Sequence, residues 1–251
     1  MTDSNAPSTS IQELPSSLED AIVQAQAATK SALGAGYTKL SVEIFFPELK
    51  IMPIAQQFCE AFTEWGDGVK LFFTDAGTAA WAKKNWPDSP FQFRSIDVAG
   101  SRQTTEAIEH VSTDDKLYIV VSPTAVEVGA VEQLCNQAGN VPVILLVPRL
   151  EDVSIVGIGY AGRALRERFL STIEPCYFLR PIEDQTALTR FYPTPWQVWL
   201  EKDGTWEVIA EELLKPDSEK IDNLVAASLG TGQKKRSIFA ELQSFLSALG
   251  R

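Results

Sequence analysis

The chain has 251 residues, of which 45% are hydrophobic and 22% charged, and its formal net charge is −11. These values are typical of a globular protein with a sizeable core. The excess of acidic residues argues against nonspecific binding to nucleic acid, whose phosphates would repel the protein, and against a general attraction to anionic lipid. No apolar run approaches the roughly 18 to 20 residues that span a bilayer.

The first part of the chain predicts a leader and then a helix. Residues 1–13 are rich in Ser, Thr, Asn and Pro, which predicts a disordered leader. The first dozen residues lack the cations and the apolar core of a targeting peptide, which favours a cytoplasmic location. Ser16 and Glu19 have the spacing of a capping box, so a helix is expected from there to about Ala32, with Gly34 as its stop.

Strand and helix patterns alternate after this helix. Apolar runs predict strands at Lys39–Phe46, Val69–Phe73, Phe91–Ile96, Leu117–Val121 and Pro142–Val147. Amphipathic segments predict helices at Ile54–Trp65, from Asp75 to Asn85, and after a second capping box at Thr124 and Glu127. Continuous Val/Ile/Leu strands separated by helices are typical of a mainly parallel sheet that is covered on both faces. We therefore expect a three-layer, Rossmann-like α/β architecture.

The pattern changes after a sixth predicted strand, Cys176–Leu179. Short antiparallel strands are predicted at Leu188–Tyr192, Gln197–Glu201 and Thr205–Ile209, with Lys202-Asp203-Gly204 as a hairpin turn. A helix near Ser218–Leu229 follows, and residues 231–251 are expected to contain a C-terminal amphipathic helix. We expect residues 14–230 to form a single α/β domain with a β extension at about 186–210.

The usual catalytic and metal-binding residue types form no complete constellation. Cys59, Cys135 and Cys176 lie far apart in apolar segments and are expected to be buried free thiols. His110 is the only histidine, so a site with two imidazole ligands is excluded. Ser122 lies in VVSPT, without the glycines of a nucleophile elbow. We expect no metal and no resident cofactor, and the sequence does not establish whether the protein is an enzyme.

A glycine motif before a predicted helix resembles a dinucleotide-binding fingerprint. Gly157, Gly159 and Gly162 have its spacing, and glycines ahead of a helix let backbone N–H groups approach an anion. The fingerprint is specific only after the first strand of a βαβ unit, with an acid about twenty residues on. Here it follows the fifth predicted strand, and Arg180 stands where the acid is needed. A turn that lets the helix pack closely on the sheet is the simpler interpretation.

Arginines are concentrated near this motif. Six of the ten lie between Arg149 and Arg190, and Arg163 and Arg166 fall in the first turns of a predicted helix, where the dipole disfavours cations unless an anion is near. This motivates a hypothetical anion site made of Gly157, Gly159, Gly162, Arg163, Arg166 and Arg149. The favoured alternative is that these arginines pair internally with Glu151, Asp152, Glu167 or Glu174.

Ligands of open α/β sheets usually bind beyond the carboxyl ends of the strands. The residues predicted at those ends are Glu48, Asp75, Asp97, Ser122, Thr124 and Arg149. Asp75 and Thr124 are expected to cap the helices that follow them. No pair among the six has a spacing that specifies acid–base catalysis.

Two segments are candidates for binding a protein partner. Trp196 and Trp199 lie in FYPTPWQVW and are either core residues or a platform for a partner, since aromatic anchors dominate interfaces. The last predicted helix has an apolar stripe behind three cations, with Phe239, Leu242 and Phe245 as its candidate contacts. Cations at a helix N-terminus oppose its dipole, so an external anionic surface would compensate them; the alternative is that the stripe packs on the body.

Five segments together resemble a domain-of-unknown-function family of cyanobacteria and plastids: LPSSLEDAIVQAQAATKSAL, KLSVEIFFPEL, VSPTAVEV, VGIGYAGRALRERFLSTIEPCYFLRPI and FYPTPWQVW. The resemblance covers Leu14 to Leu229, and the family includes the low-photosystem-II-accumulation type of assembly factor. It implies a non-enzymatic auxiliary role in the assembly or maintenance of photosystem II. The partners would be photosystem II subunits or assembly factors at the thylakoid surface, with peripheral membrane association. The alternative is a Rossmann-like protein that binds a nucleotide or phosphometabolite.

Overall fold

A computed structural model of the chain describes residues 13–96, 111–112, 114–151, 160–182 and 185–230. Its strands are β1 (Lys39–Ile44), β2 (Val69–Phe73), β3 (Gln92–Ser95), β4 (Leu117–Val121), β5 (Val143–Leu146), β6 (Glu174–Ile182), β7 (Thr186–Phe191), β8 (Trp196–Lys202) and β9 (Thr205–Glu212). The α-helices are α1 (Leu18–Gly34), α2 (Ile51–Cys59), α3 (Ala76–Asn85), α4 (Val128–Gln137), α5 (Tyr160–Arg168) and α6 (Ser218–Leu229). Short 3₁₀ helices span Glu60–Gly68 and Leu170–Thr172.

The nine described strands form one mixed sheet in the order β3-β2-β4-β5-β1-β6-β7-β8-β9. The six strands from β3 to β6 pair in parallel, and β6 to β9 pair antiparallel. The predicted α/β class, with a mainly parallel sheet and an antiparallel extension, is therefore confirmed. β1 lies near the centre of the sheet, between β5 and β6, although it is the first strand in the chain.

Helices cover both faces of the sheet. As a result, β2, β4 and β5 are buried along their whole length. On the face that we call the α1 face, α1, α2, α3 and the longer 3₁₀ helix pack on a large apolar cluster that includes Leu71 and Ile144. On the opposite face, the α4 face, α4 and α5 pack over Phe72, Tyr118 and Leu145. α6 packs on the same face over a separate cluster around β6 to β8.

The predicted helix starts are confirmed in part. The first helix is capped by Ser17, whose Oγ accepts from the Asp20 N–H at 3.0 Å, so the predicted box at Ser16 and Glu19 is wrong by one residue. The chain offers two adjacent serines, and Ser16 instead donates to the Asp20 carboxylate. Asp75 caps α3 as expected, accepting from the Thr78 N–H at 2.8 Å.

The second predicted box is formed only in one direction. The Glu127 carboxylate accepts from the Thr124 N–H at 2.8 Å, as a capping box requires. The Thr124 hydroxyl oxygen accepts from Val126, however, and the regular helix begins only at Val128. The two side chains therefore close a turn that precedes the helix.

The helix predicted at Ile54–Trp65 differs from the structure at both ends. α2 begins earlier, at Ile51, because Pro53 lies in its first turn, where the missing N–H is not needed. It gives way after Cys59 to the 3₁₀ helix, in which Gly66 has φ 58° and ends the helical path before β2.

The antiparallel half follows the predicted hairpin. Asp203 and Gly204 both have positive φ, 51° and 81°, as a two-residue turn between twisted strands requires. β9 shifts register between its pairs to Val198 and Trp199, which marks a bulge. α6 begins where it was predicted, with the Asp217 carboxylate capping the Lys220 N–H. Residues 1–12 of the leader predicted at 1–13, and the C-terminal helix predicted at 231–251, lie outside the described residues.

A buried ionic network ties β2 to β4 at the amino end of the sheet. The Lys70 ammonium lies 2.7 Å from the Asp115 carboxylate, and both side chains are nearly inaccessible. The same carboxylate oxygen accepts from the Tyr118 hydroxyl at 2.6 Å and from the Ser112 N–H at 2.8 Å. Burial and the Asp115 charge raise the pKa of Tyr118, so its hydroxyl remains a donor. Asp115 thus satisfies three donors at once.

None of the helices within the described ranges is long and apolar enough to cross a membrane.

We expect Asp115→Ala to lower the free energy of unfolding by about 3–5 kcal/mol, because it leaves the Lys70 charge buried without its carboxylate. Urea denaturation followed by circular dichroism measures the change. Asp114→Ala is the matched control, since Asp114 is the exposed neighbour. Equal loss of stability in the two variants would contradict a structural role for the buried pair.

Candidate functional site

The carboxyl edge of the parallel strands contains two topological switch points. β1 and β2 are each followed by a helix on the α1 face, whereas β4 and β5 are followed by helices on the α4 face. Since β2 neighbours β4 and β1 neighbours β5, the chain leaves each pair in opposite directions. Such divergence opens a crevice beyond the strand ends, which is where α/β sheets usually bind ligands.

Backbone strain marks the same edge. Ser122 and Val147 directly follow β4 and β5, and both have φ of 50°. Val147 is β-branched, so this conformation is unusual and costs on the order of 1–3 kcal/mol. Hydrogen bonds from the Ser122 N–H to Leu146 at 2.8 Å and from the Val147 N–H to Val42 at 2.7 Å hold the two residues in place.

The polar residues predicted at this edge mainly serve local structure. Asp75 binds the Thr78 N–H and hydroxyl, which together lower the pKa of Asp75. Thr124 is engaged with Glu127, and its backbone forms a bridge to Arg149, whose side chain is exposed. Glu48 is exposed with a positive φ of 57°, and Asp97 lies outside the described residues. The structure does not bring the described side chains among them together as a catalytic group.

Strand β1 carries a charged side chain into the sheet. Leu40, Val42 and Ile44 pack on the α1 face, so the alternating Ser41, Glu43 and Phe45 point to the α4 face. The Ser41 hydroxyl donates to the half-buried Glu43 carboxylate at 2.9 Å. Burial raises the pKa of Glu43, while the Lys215 ammonium and the Ser41 hydroxyl act against this and Glu151 adds to it. Glu43 is therefore suited to bind a cation or to hold a proton.

An aromatic row runs beside Glu43 across the α4 face. Phe45 lies 5.2 Å from Phe178, and Phe178 lies 5.0 Å from Trp196, measured between ring centroids. Cations lie over each ring: Arg180 over Phe45, Lys215 over Phe178 and Trp196, and Arg190 over Trp196. Phe178 and Trp196 belong to the cluster on which α6 packs, and Phe45 lies on the side of the row towards β1.

A surface groove of about 460 Å³ separates α4 from α5. Its walls are mostly small or aliphatic and its ends are Tyr160 and a salt bridge, with the lining residues Ala125, Val128, Gly129, Glu132, Tyr160, Ala161, Ala164, Leu165 and Arg168. Arg168 binds the Glu132 carboxylate with two hydrogen bonds, at 2.8 and 2.9 Å. We call this feature the α4–α5 groove.

The predicted anion site is described only in part. Gly157 and Gly159 lie outside the described residues, and Gly162 is buried in α5. Arg163 is exposed, and its guanidinium forms no ion pair within the described ranges. Arg166 lies 3.7 Å from Glu151, a long contact of the kind that the internal-pairing alternative anticipated. The anion site therefore stays a prediction.

The predicted partner-binding tryptophans are both buried. Trp196 packs in the cluster beneath α6, and Trp199 donates from Nε1 to the Thr189 hydroxyl at 2.9 Å. With 3% and 4% of their surfaces exposed, they have little area to offer a partner in this conformation. Phe239, Leu242 and Phe245 lie outside the described residues, so partner binding by either segment stays a prediction.

The three cysteines are buried free thiols, as predicted. Burial raises the pKa of each, to about 12 for Cys135 and Cys176. Neutral, enclosed thiols are poor nucleophiles and poor metal ligands. Across the described ranges, no group of three or more His, Cys, Asp or Glu side chains is placed to hold a metal ion.

Sequence analysis missed Glu43 and the α4–α5 groove. The signal for Glu43 was a single acid inside an otherwise apolar central strand, KLSVEI. The signal for the groove was small residues at helical spacing, Ala125 with Gly129 and Ala161 with Ala164. Neither signal is specific without the packing that brings the two helices together.

We expect Glu43→Gln to stabilise the protein increasingly as pH rises. The pKa of Glu43 is higher in the folded chain than in the unfolded chain. Ionisation of Glu43 therefore costs more in the folded chain, and the free energy of unfolding falls as pH rises from the unfolded pKa to the folded pKa. The variant should match the wild type below about pH 4 and exceed it by up to about 1 kcal/mol near pH 7, since water screens a half-buried site. Urea titrations at both pH values measure this difference, with Glu64→Gln as an exposed control. A pH-independent difference would contradict the raised pKa.

Comparison with known proteins assigns a family. A comparison with curated proteins finds no match. The chain does match the family model of a domain of unknown function, DUF1995, over residues 15–223. That stretch includes all nine strands of the described sheet and both switch points. The chain is thus a member of the DUF1995 family.

Proposed function

We propose that this DUF1995 protein is a non-enzymatic auxiliary factor for the assembly or maintenance of photosystem II, and that it holds a helical segment of a partner protein in the α4–α5 groove. The resemblance to low-photosystem-II-accumulation factors motivates the biological role. The observation that carries the binding role is the groove itself. It is open, mainly apolar, lies between two helices and has a volume of about 460 Å³. The partners would be photosystem II subunits or other assembly factors at the thylakoid surface.

The walls of the groove suit a close helix–helix approach. Ala125, Gly129, Ala161 and Ala164 present little side chain, so the backbones of α4 and α5 can come near a third helix. A Cβ placed on Gly129 would meet no atom of the described residues within 4 Å, so these residues leave the space above it open. Large side chains of a partner can occupy such space in the manner of knobs packing into holes.

Exposed apolar side chains border the same groove. Tyr160 at its rim is 83% exposed, and Val126, adjacent to the lining residue Ala125, is 54% exposed. A tyrosine at the rim can bury its ring against a partner while its hydroxyl stays in water, which is a common role of tyrosine at interfaces. These two residues therefore supply exposed apolar area beside the groove.

The salt bridge gives the groove a polar end. Arg168 is 60% exposed while Glu132 is 17% exposed, so the guanidinium faces outward from its carboxylate. An acidic residue at one end of a bound helix would meet this guanidinium and fix the direction of binding. The proposed partner is therefore an amphipathic helix with an apolar face and an acid near one end.

Residues 231–251 belong to the same proposal. Their predicted apolar stripe and the cations at 234–236 would support peripheral contact with the thylakoid membrane from the cytoplasmic side.

We expect Gly129→Leu to abolish partner binding without loss of fold. The leucine fills the open space of the groove, and leucine favours a helix more than glycine does, so stability should be kept or raised. Tagged protein is incubated with gently solubilised thylakoids, and the retained proteins are quantified by mass spectrometry. Wild-type protein should retain photosystem II subunits or assembly intermediates, and the variant at least about tenfold less.

Gln137→Leu is the matched control, because it adds the same side chain to an exposed position of α4 outside the groove. Retention equal to wild type is expected for this control. If wild type, Gly129→Leu and Gln137→Leu all retain the same photosystem II proteins, the groove is not the binding surface. If wild type retains none, the photosystem role is wrong.

A second candidate function is binding of a nucleotide or phosphometabolite at the carboxyl edge. The strained Val147 next to a switch point favours it, because such strain is often retained where a backbone is shaped for a ligand. The exposed Arg163 guanidinium would be the anion-binding group.

For this second candidate we expect a phosphate-bearing ligand to raise the melting temperature of the wild type, and Arg163→Ala to remove most of the increase. Differential scanning fluorimetry with a panel of nucleotides and sugar phosphates measures it, at ligand concentrations about a hundredfold above Kd. Arg180→Ala is the control, since Arg180 is also exposed but lies over Phe45. No increase with any ligand, or equal increases in wild type and Arg163→Ala, would eliminate the site.

A further inference from the structure

Two aromatic rings on the α4 face form a corner that contains a cation. The Phe178 and Trp196 rings meet at 65° with their centroids 5.0 Å apart. The Lys215 ammonium lies 4.1 Å from the Phe178 centroid and 5.3 Å from the Trp196 centroid. Both distances are within the range at which the ring quadrupole attracts a cation. Both rings are buried, so their geometry is fixed by the core.

An acid lies beside this corner. Glu43 is directly opposite Phe178 in the β1–β6 register, so the two side chains point to the same face. The Lys215 ammonium lies over the Phe178 ring, whose residue pairs with Glu43, so the carboxylate is on the neighbouring strand and on the same face. Two aromatic faces and a carboxylate are the groups that recognise alkylammonium ions. We call these three side chains the ammonium corner: Phe178, Trp196 and Glu43.

The segment that brings Lys215 to the corner is itself poorly packed. Leu213 and Leu214, between β9 and Lys215, are 84% and 83% exposed. Pro216, on the other side, is buried. The ammonium therefore reaches the corner from a short stretch that is anchored on one side by Pro216 and whose preceding side chains contribute little packing.

We propose that the ammonium corner is a binding site for a primary alkylammonium group, and that Lys215 occupies it as an internal ligand. An external amine enters when the Lys215 side chain leaves. The external group is either the side chain of a lysine in a peptide or a small free amine, and the corner recognises the chemistry that these share. The site is independent of the α4–α5 groove, since no residue is common to both.

Chemical rescue of Lys215→Ala tests the site in the full-length protein. Removing the ammonium should lower the melting temperature by about 2–4 °C. n-Butylammonium at about 100 mM, with ionic strength matched by sodium chloride, should restore at least half of this loss. In the wild type the tethered lysine competes at high effective concentration, so the same amine should have at most about a tenth of the effect.

The indole N–H signal of Trp196 in NMR spectra should shift with n-butylammonium in the variant and remain unchanged in the wild type.

Two further variants make the result specific. Lys202→Ala removes an ammonium 3.7 Å from Glu207 and away from the corner, and n-butylammonium should not rescue it. Adding Glu43→Gln to Lys215→Ala should weaken the rescue several-fold, because the carboxylate is lost. Equal effects of the amine in wild type and Lys215→Ala, or no effect in either, would overturn the proposal. So would a rescue that is unchanged by Glu43→Gln.

The source of the ammonium is distinguished with two probes. A short blocked peptide with one central lysine and n-butylammonium are compared for the concentration that gives half of the Trp196 shift in Lys215→Ala. Tighter binding of the peptide by tenfold or more assigns the site to a lysine side chain. Equal or weaker binding of the peptide assigns it to a small free amine.

Discussion

A parallel sheet that is apolar on both faces must be covered on both faces, and the rest of this structure depends on how that requirement is met. On the α1 face the cover is continuous, from α1 to α3. On the α4 face the described helices form two groups, α4 and α5 over one half of the sheet and α6 over the other. β1 lies between these groups, and there it carries Ser41 and Glu43 on the side where aliphatic residues would otherwise be needed.

The two faces therefore differ in what they can do. The α1 face is closed by aromatic packing, with Phe62 between Phe58 and Trp65, and Phe73 against Trp86. The α4 face contains the α4–α5 groove, which lies between two helices, and the ammonium corner, which lies in the cluster on which α6 packs. The structural core and the candidate binding surfaces thus share a sheet but use opposite sides of it.

Most of the fold could be predicted because the strands are apolar runs of ordinary length. Val69–Phe73 and Leu117–Val121 were predicted to the residue, since burial on both faces leaves an uninterrupted apolar signal. Helix starts were less certain, because adjacent Ser16 and Ser17 offer the same cap. Strand order was not predicted, since β1 pairs with strands distant in sequence. The role of Glu43 beside the aromatic rings was missed for the same reason, namely pairing between strands that are distant in sequence. Glu43 becomes informative only once β6 brings Phe178 beside it.

The central position of β1 also has a consequence for synthesis on the ribosome. β1 is made first, but its two neighbours, β5 and β6, are made only after β2, β3 and β4. Until β5 has left the exit tunnel, both edges of this apolar strand lack their partners in the nascent chain, and one edge still lacks its partner until β6 follows. Such strands are prone to aggregate and their long-range pairing is slow, so we expect the chain to depend on chaperones during translation.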